Sequence, residues 1–263
     1  MTNFQKQFFA RLHIEEIATV SFEDLAHIMY AMAQTVPFEN LNILEKKFKE
    51  ISKENLKEKI LLNNRGGLCY ELNPTMYYFL KDLGFDVHLV SGTVYSAAHS
   101  IWAVDSGHIA TVLKHHNELY LIEVGFGSYL PLAPVPFSGE VVHSVTGDYR
   151  IRKETTEKGN YILEMRKSNE FLDQSPTDDW TVGYAFYLEE VDETKANAAQ
   201  KIIVEHEKSP FNKVPLIVKL TPNGHASLTK DSLTLTKQGK KLKESLTEEQ
   251  YKNLLHSTFG ITL

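Results

Sequence analysis

The chain has 263 residues, 42% hydrophobic and 11% aromatic, a single cysteine and a formal net charge of −6. That composition belongs to a globular protein with a sizeable core, divisible into one to three domains. The acidic balance excludes non-specific nucleic-acid binding and attraction to anionic membranes. A lone cysteine, no apolar leader in Met1–Gln7 and no apolar run near ~18 residues lead us to expect a cytoplasmic protein without disulfides.

Residues 1–85 read as helical. Ser21-Phe22-Glu23-Asp24 has the form of a capping box ahead of Leu25, Ile28, Met29 and Met32, which recur at helical spacing. Pro37 disfavours a helical residue before it and ends that helix near Val36. Pro37 to Leu41 is then a compact turn, with Glu39 and Asn40 either solvated or hydrogen-bonded to another buried loop. Leu56 to Leu62 forms a second amphipathic helix leading to Arg65. Gly66-Gly67-Leu68-Cys69 opens an apolar run through Met76, Tyr78, Phe79 and Leu80 that reads as a helix ending at Gly84 in the C′ position. Pro74 interrupts it. Either the helix starts near Asn73 or its first turn is distorted, and both arrangements leave Cys69 on an irregular, partly open backbone.

From Asp86 the pattern turns to short β-branched and aromatic runs separated by turn residues. They are Val87–Val90, Gly92–Tyr95, His108–Leu113, Leu119–Val124, Tyr149–Arg152, Tyr161–Met165 and Ala185–Leu188. These predict an antiparallel barrel or curled sheet over residues 86–190. Asp192 to His206 is helical again, and Val214–Leu220, Ala226–Thr229 and Ser232–Leu235 are strands. Thr247-Glu248-Glu249-Gln250 caps a last helix. The class is therefore α+β, with subdomains at 1–85, 86–190 and 191–263.

Cys69 is the candidate nucleophile. A thiol at the head of a helix meets unpaired N–H groups and the positive end of the macrodipole, conditions that favour a thiolate. The opposing reading is a packed, inert cysteine. A nucleophile needs a base, and the base an orienting group. His108 starts one predicted strand, and Glu123 lies near the end of the next. A hairpin loop centred between His115 and His116 sets the two opposite each other. One centred between His116 and Asn117 makes them diagonal neighbours, and such facing pairs lie ~4.5–8 Å apart. An even register would put them on opposite faces. A carboxylate inside the apolar run Leu119 to Gly127 also needs a partner. His115 and His116 have no carboxylate or cysteine beside them at ligand spacing, so they read as a turn and no metal is expected.

Three segments resemble the arylamine N-acetyltransferase family. Arg65 to Asn73 is similar to its RGGxCxEx[N] loop, Pro37 to Leu41 to its PFENL segment, and Glu123 to Gly127 to its DVGFG strand and loop, with His108 in the matching upstream position. The resemblance implies a helical-bundle subdomain, an antiparallel β-barrel subdomain and an α/β lid on a cysteine-protease/transglutaminase-like core. It implies ping-pong transfer of acetyl from acetyl-CoA to arylamines, arylhydrazines or N-hydroxyarylamines, with no permanently bound cofactor. Cys69 would accept the acetyl group, His108 act as base and Glu123 as orienter. Phe38 and Phe126 would line the aromatic pocket, Gly127 would admit CoA, and Arg65 with Glu39 would join two loops structurally. Glutamate stands here where the family usually has aspartate. Two other readings compete: a thiol hydrolase or amide-forming enzyme of the transglutaminase and cysteine-peptidase type using the same triad, and an inactive scaffold.

Overall fold

The computed structural model describes residues 1–167, 179–237 and 239–262. The N-terminal part holds α1 (Asn3–Leu12), α2 (Leu25–Thr35), the two-residue strand β1 (Phe38–Glu39), α3 (Leu41–Leu44), α4 (Lys53–Leu56) and α5 (Cys69–Asp82). Ser21 and Asp24 close the expected box, with Asp24 Oδ2 accepting from Ser21 N at 2.8 Å. α2 ends where Val36 turns extended ahead of Pro37. α4 runs on into a π-helical turn, Lys57–Leu62, where one α-helix was expected. Gly84, at φ +88°, closes α5. Its N–H donates to Lys81 O and that of Phe85 to Leu80 O, the paired bonds of a Schellman cap.

α5 starts at Cys69 and passes through Pro74 without interruption, so neither expected distortion occurs. The first turn is pinned at its N-cap, Leu68. Glu71 Oε2 accepts from Leu68 N at 3.0 Å, and Glu71 N and Leu72 N both donate to Leu68 O at 2.9 Å. Cys69 is thus on regular helix and only 8% exposed.

The middle of the chain forms β2 (Asp86–Ser96), β3 (Ile101–Trp102), β4 (His108–His115), β5 (Glu118–Ile122), β6 (Val135–Pro136), β7 (Val142–Ser144), β8 (Gly147–Thr156), β9 (Gly159–Lys167) and β10 (Thr181–Phe186). The two runs expected between Val87 and Tyr95 are one strand, and the run expected at Ala185–Leu188 lies earlier, as β10. The antiparallel order is β6-β5-β4-β2-β10-β9-β8-β7, with β3 beside β2. The sheet curls until β6 meets β8, a nearly closed barrel. β4 is buried on both faces: Ile109 and Leu113 pack towards α5, while Ala110 and Val112 point to the barrel interior with Leu121, Leu163 and Tyr184.

α6 (Glu193–Glu205), capped by Asp192, leads to β11 (Ile217–Thr221), β12 (Gly224–Leu228), β13 (Ser232–Lys237), β14 (Lys240–Ser245) and α7 (Glu248–Ser257). These strands and β1 form a second antiparallel sheet, β1-β11-β12-β13-β14. The segment expected as a turn at Pro37–Leu41 therefore supplies an edge strand, with Phe38 opposite Val218 and Glu39 opposite Ile217. No helix among the described residues is long and apolar enough to cross a membrane.

Candidate active site

Two loops lock together beneath Cys69. Gly67 N donates to Pro37 O at 3.2 Å, and Glu39 N donates to Gly67 O at 3.0 Å. A Cβ on Gly66 would lie 1.8 Å from Pro37 O, so only glycine fits there. Arg65 Nε donates to Glu39 Oε1 at 3.1 Å, and Glu39 Oε2 accepts from Leu41 N at 2.6 Å. Burial works against the Glu39 charge, but Lys59 and Arg65 hold its carboxyl below the usual range. Asn40 is not solvated either: Nδ2 donates to Phe211 O and Val214 O, and Oδ1 accepts from Leu216 N, all at 2.8 Å.

The β4–β5 hairpin supplies the other half of the site. His115 pairs with Glu118 across a two-residue loop, His116-Asn117, both at positive φ. The turn is centred between His116 and Asn117, so His108 and Glu123 are diagonal neighbours. Glu123 lies just past the end of β5 and reaches back. His108 Nε2 donates to Glu123 Oε2 at 2.8 Å, which leaves Nδ1 as the acceptor nitrogen, and Cys69 acts electrostatically on the imidazole. The thiol Sγ also lies 3.5 Å from Gly107 O. His108 is 1% exposed and Glu123 0%.

A buried carboxylate must have all its acceptor capacity met. Glu123 Oε2 takes a second bond from Tyr184 Oη at 2.8 Å. Its Oε1 accepts from Asn73 Nδ2 at 2.8 Å and Gly125 N at 2.7 Å. Burial opposes the charge, but His108 and these donors hold the Glu123 carboxyl below its ordinary range. For His108, burial disfavours the imidazolium, yet Glu123 and then Cys69 outweigh it and push the pKa up to about 10. Burial and Glu123 raise Tyr184 well above the usual phenol, so it remains a donor.

Asn73 and Tyr184 were not singled out by the sequence. Asn73 stands four residues after Cys69, on the same helix face, and that spacing was the available signal. Its amide staples α5 to the hairpin through Ile109 O at 2.7 Å and Val124 N at 2.9 Å, besides Glu123. Tyr184 lies 61 residues from Glu123 in the chain and has no local signature. Gly125 permits the close approach: a Cβ there would sit 2.8 Å from Cys69 Cα.

Phe126 follows, partly exposed, edge-on to His108 at 5.6 Å and to Tyr184 at 5.4 Å between ring centres. Gly127 is left-handed at φ +68°, with open space where a side chain would start. Phe38 is buried edge-on against Phe211, at 5.7 Å. A separate polar cleft of 460 Å³, lined by Lys59, Arg65 and Glu71 among others, includes neither Cys69 nor His108.

A family model described as N-acetyltransferase matches residues 21–263. The chain is similar to a crystal structure of an arylamine N-acetyltransferase from Bacillus cereus, 84% identical over all of both chains with a TM-score of 0.95 and described as revealing a unique Cys-His-Glu catalytic triad. An arylamine N-acetyltransferase C from Bacillus anthracis is 51% identical over all of both chains, with a TM-score of 0.94. An uncharacterized acetyltransferase of Bacillus subtilis is 42% identical over 93% of this chain and 92% of its own.

Proposed function

The chain belongs to the arylamine N-acetyltransferase family, and from that premise we propose that it carries acetyl from acetyl-CoA to the nitrogen of arylamines or arylhydrazines through acetyl-Cys69. The observation that supports this most is the buried set of Cys69, His108 and Glu123 at the head of α5. Glu123 fixes the tautomer in which Nδ1 is the basic nitrogen, and that nitrogen takes the proton of the Cys69 thiol. The sulfur attacks the thioester carbonyl, and the carbon–sulfur bond to CoA breaks. The departing CoA thiolate collects the proton from His108. The positive end of α5 favours the negative charge that builds on the carbonyl oxygen.

The second half-reaction follows from the causes of the His108 shift. Cys69 is one of the charges that raise His108, and acetylation removes it, whereas burial remains and pulls the imidazole down. His108 therefore becomes a base for the incoming amine. The nitrogen attacks the acetyl carbon, its proton passes to Nδ1, and the Cys69 sulfur leaves. Asn73 and Tyr184 hold Glu123 during both halves. Phe126, next to the imidazole, offers a ring for an aromatic acceptor to stack on. Phe38 would line the same pocket, and open space at Gly127 offers passage for the pantetheine arm. Arg65 and Glu39 keep the nucleophile loop in place.

The test is to mix the protein with acetyl-CoA and no amine. One stable acetyl adduct on Cys69 is expected by peptide mass spectrometry, discharged when an arylamine is added, and Cys69→Ser should not form it. An adduct that decays to acetate without amine would point to the hydrolase, and no adduct at all to a scaffold.

A further inference from the structure

The second sheet has two unlike faces. Ile217, Ala226, Leu228 and Leu233 point towards α7 and pack on Tyr251, Leu255 and Phe259. The opposite face is polar. Residues directly opposite one another in neighbouring strands share a face. One row on it runs Leu220, His225, Thr236, Lys241, and the next runs Phe38, Val218, Ser227, Thr234, Lys243.

Both rows begin at the candidate pocket. Phe38 is the residue that the family resemblance assigns to its aromatic lining. Leu220 packs with Leu130 and Leu132 in a cluster that Phe126 also joins, and Phe126 lies against His108. At ~4.8 Å per strand, Leu220 to Lys241 spans roughly 14 Å and Phe38 to Lys243 roughly 19 Å. The face thus goes from apolar at the pocket, through hydroxyls and an imidazole, to two exposed lysines at the far edge. Glu244, the one carboxylate in strands β11 to β14, falls in the row with Ile217 and Leu233, on the α7 face. In a chain of net charge −6, strands β11 to β14 contribute no acid to this face. Burial and the charge of Lys241 hold His225 below its ordinary pKa, which places the two side chains in each other's field.

We propose that this face, through Lys241 and Lys243 with Thr234 and His225, holds the phosphate groups of the nucleotide end of the acyl donor. The proposal rests on the acetyl-CoA reading above. A donor lying along the rows would bring its thioester to the Phe126 end and its phosphates to the lysines, where ammonium groups and hydroxyls give charge-assisted hydrogen bonds. Lysines on an exposed edge strand also deter edge-to-edge pairing, but that role is indifferent to face. Lys240 has the same charge on the same strand and faces the other way, in the row of Lys237 and Gly224.

The experiment compares the parent, Lys241→Gln/Lys243→Gln, Lys240→Gln and Lys241→Arg/Lys243→Arg. Each is assayed with acetyl-CoA and with 4-nitrophenyl acetate, an activated acetyl donor without phosphate. The double glutamine variant should raise KM for acetyl-CoA roughly tenfold with kcat held, the signature of lost ground-state binding. It should lose competitive inhibition by adenosine 3′,5′-bisphosphate, while its rate with 4-nitrophenyl acetate reports an intact Cys69. The arginine pair should restore KM, and Lys240→Gln should match the parent. A double glutamine variant within twofold of the parent in KM, or a Lys240→Gln effect of equal size, overturns the proposal. A parent that is acetylated by 4-nitrophenyl acetate but not by acetyl-CoA overturns the donor reading itself.

Discussion

Glu123→Gln exchanges one carboxylate oxygen for an NH₂ group, and the four donors around Glu123 dictate where that group goes. On the Oε1 side it would face Asn73 Nδ2 and Gly125 N, which have no other hydrogen-bonding form. On the Oε2 side it faces His108 and Tyr184. There the hydroxyl can rotate and the imidazole can change tautomer, so the amide settles on that side. It then donates to Nε2, forces the proton onto Nδ1 and removes the acceptor for the Cys69 proton. Two charge-assisted hydrogen bonds become neutral, a loss of about 1 kcal/mol each. Stability should fall by about 2 kcal/mol, or about 4–8 °C in Tm. Alkylation of Cys69 by iodoacetamide and acetylation by acetyl-CoA should slow together by at least about tenfold, some 1.4 kcal/mol. Glu123→Asp withdraws the carboxylate by about 1.5 Å, one C–C bond, from partners fitted to glutamate, and should also be impaired. A Glu123→Gln protein that acetylates as fast as the parent refutes this chain of reasoning, and another acid must then orient His108.

Glu39→Ala should lower stability by about 3–5 kcal/mol by stranding a largely buried Arg65, while the folded fraction still acetylates Cys69. Lost acetylation at unchanged stability would contradict a structural role. Gly125→Ala puts a methyl 2.8 Å from Cys69 Cα and 2.9 Å from Asn73 Nδ2, so acetylation should fall more than Tm does. Equal activity would show that the two segments need not meet so closely. The folded His108 pKa, about 10, lies above its unfolded value near 6.5, so the folded state holds this proton more tightly. The resulting stability is fully present below about pH 6.5 and is lost as pH rises through about 10. Tm should decline over that window in the parent and decline less in His108→Gln, and identical slopes would rule the linkage out.

What could be read from the sequence was local, and the limits of that reading are physical. The hairpin pattern confined His108 and Glu123 to two productive registers, but the choice between them lay in the backbone of His116 and Asn117, both at positive φ, which no apolar pattern encodes. β14 was missed because all six of its residues are exposed, so it lacks the one-sided burial that makes alternation visible. Pro74 was over-read. Its cost is set by the helix taken alone, whereas Asn73, the residue before it, ties the turn to Ile109, Glu123 and Val124 with bonds that appear only once α5 is docked. Phe38 and Glu39 form a strand only because β11, nearly 180 residues later, offers an edge. Sequence distance hides Tyr184 as well, 61 residues from Glu123. Cys69, His108 and Glu123 were legible because each breaks a local pattern: a thiol after two glycines, an imidazole opening an apolar strand, a carboxylate ending one. Asn73 and Tyr184 break none, since an amide in a helix and a phenol in a core strand are ordinary residues there. Their importance comes from the acid they meet. A glutamate in this position carries one more torsion to restrain than an aspartate, at a side-chain entropy cost of up to about 2 kcal/mol. Four donors converging on one carboxylate provide that restraint, and three of the four come from outside the hairpin's paired strands.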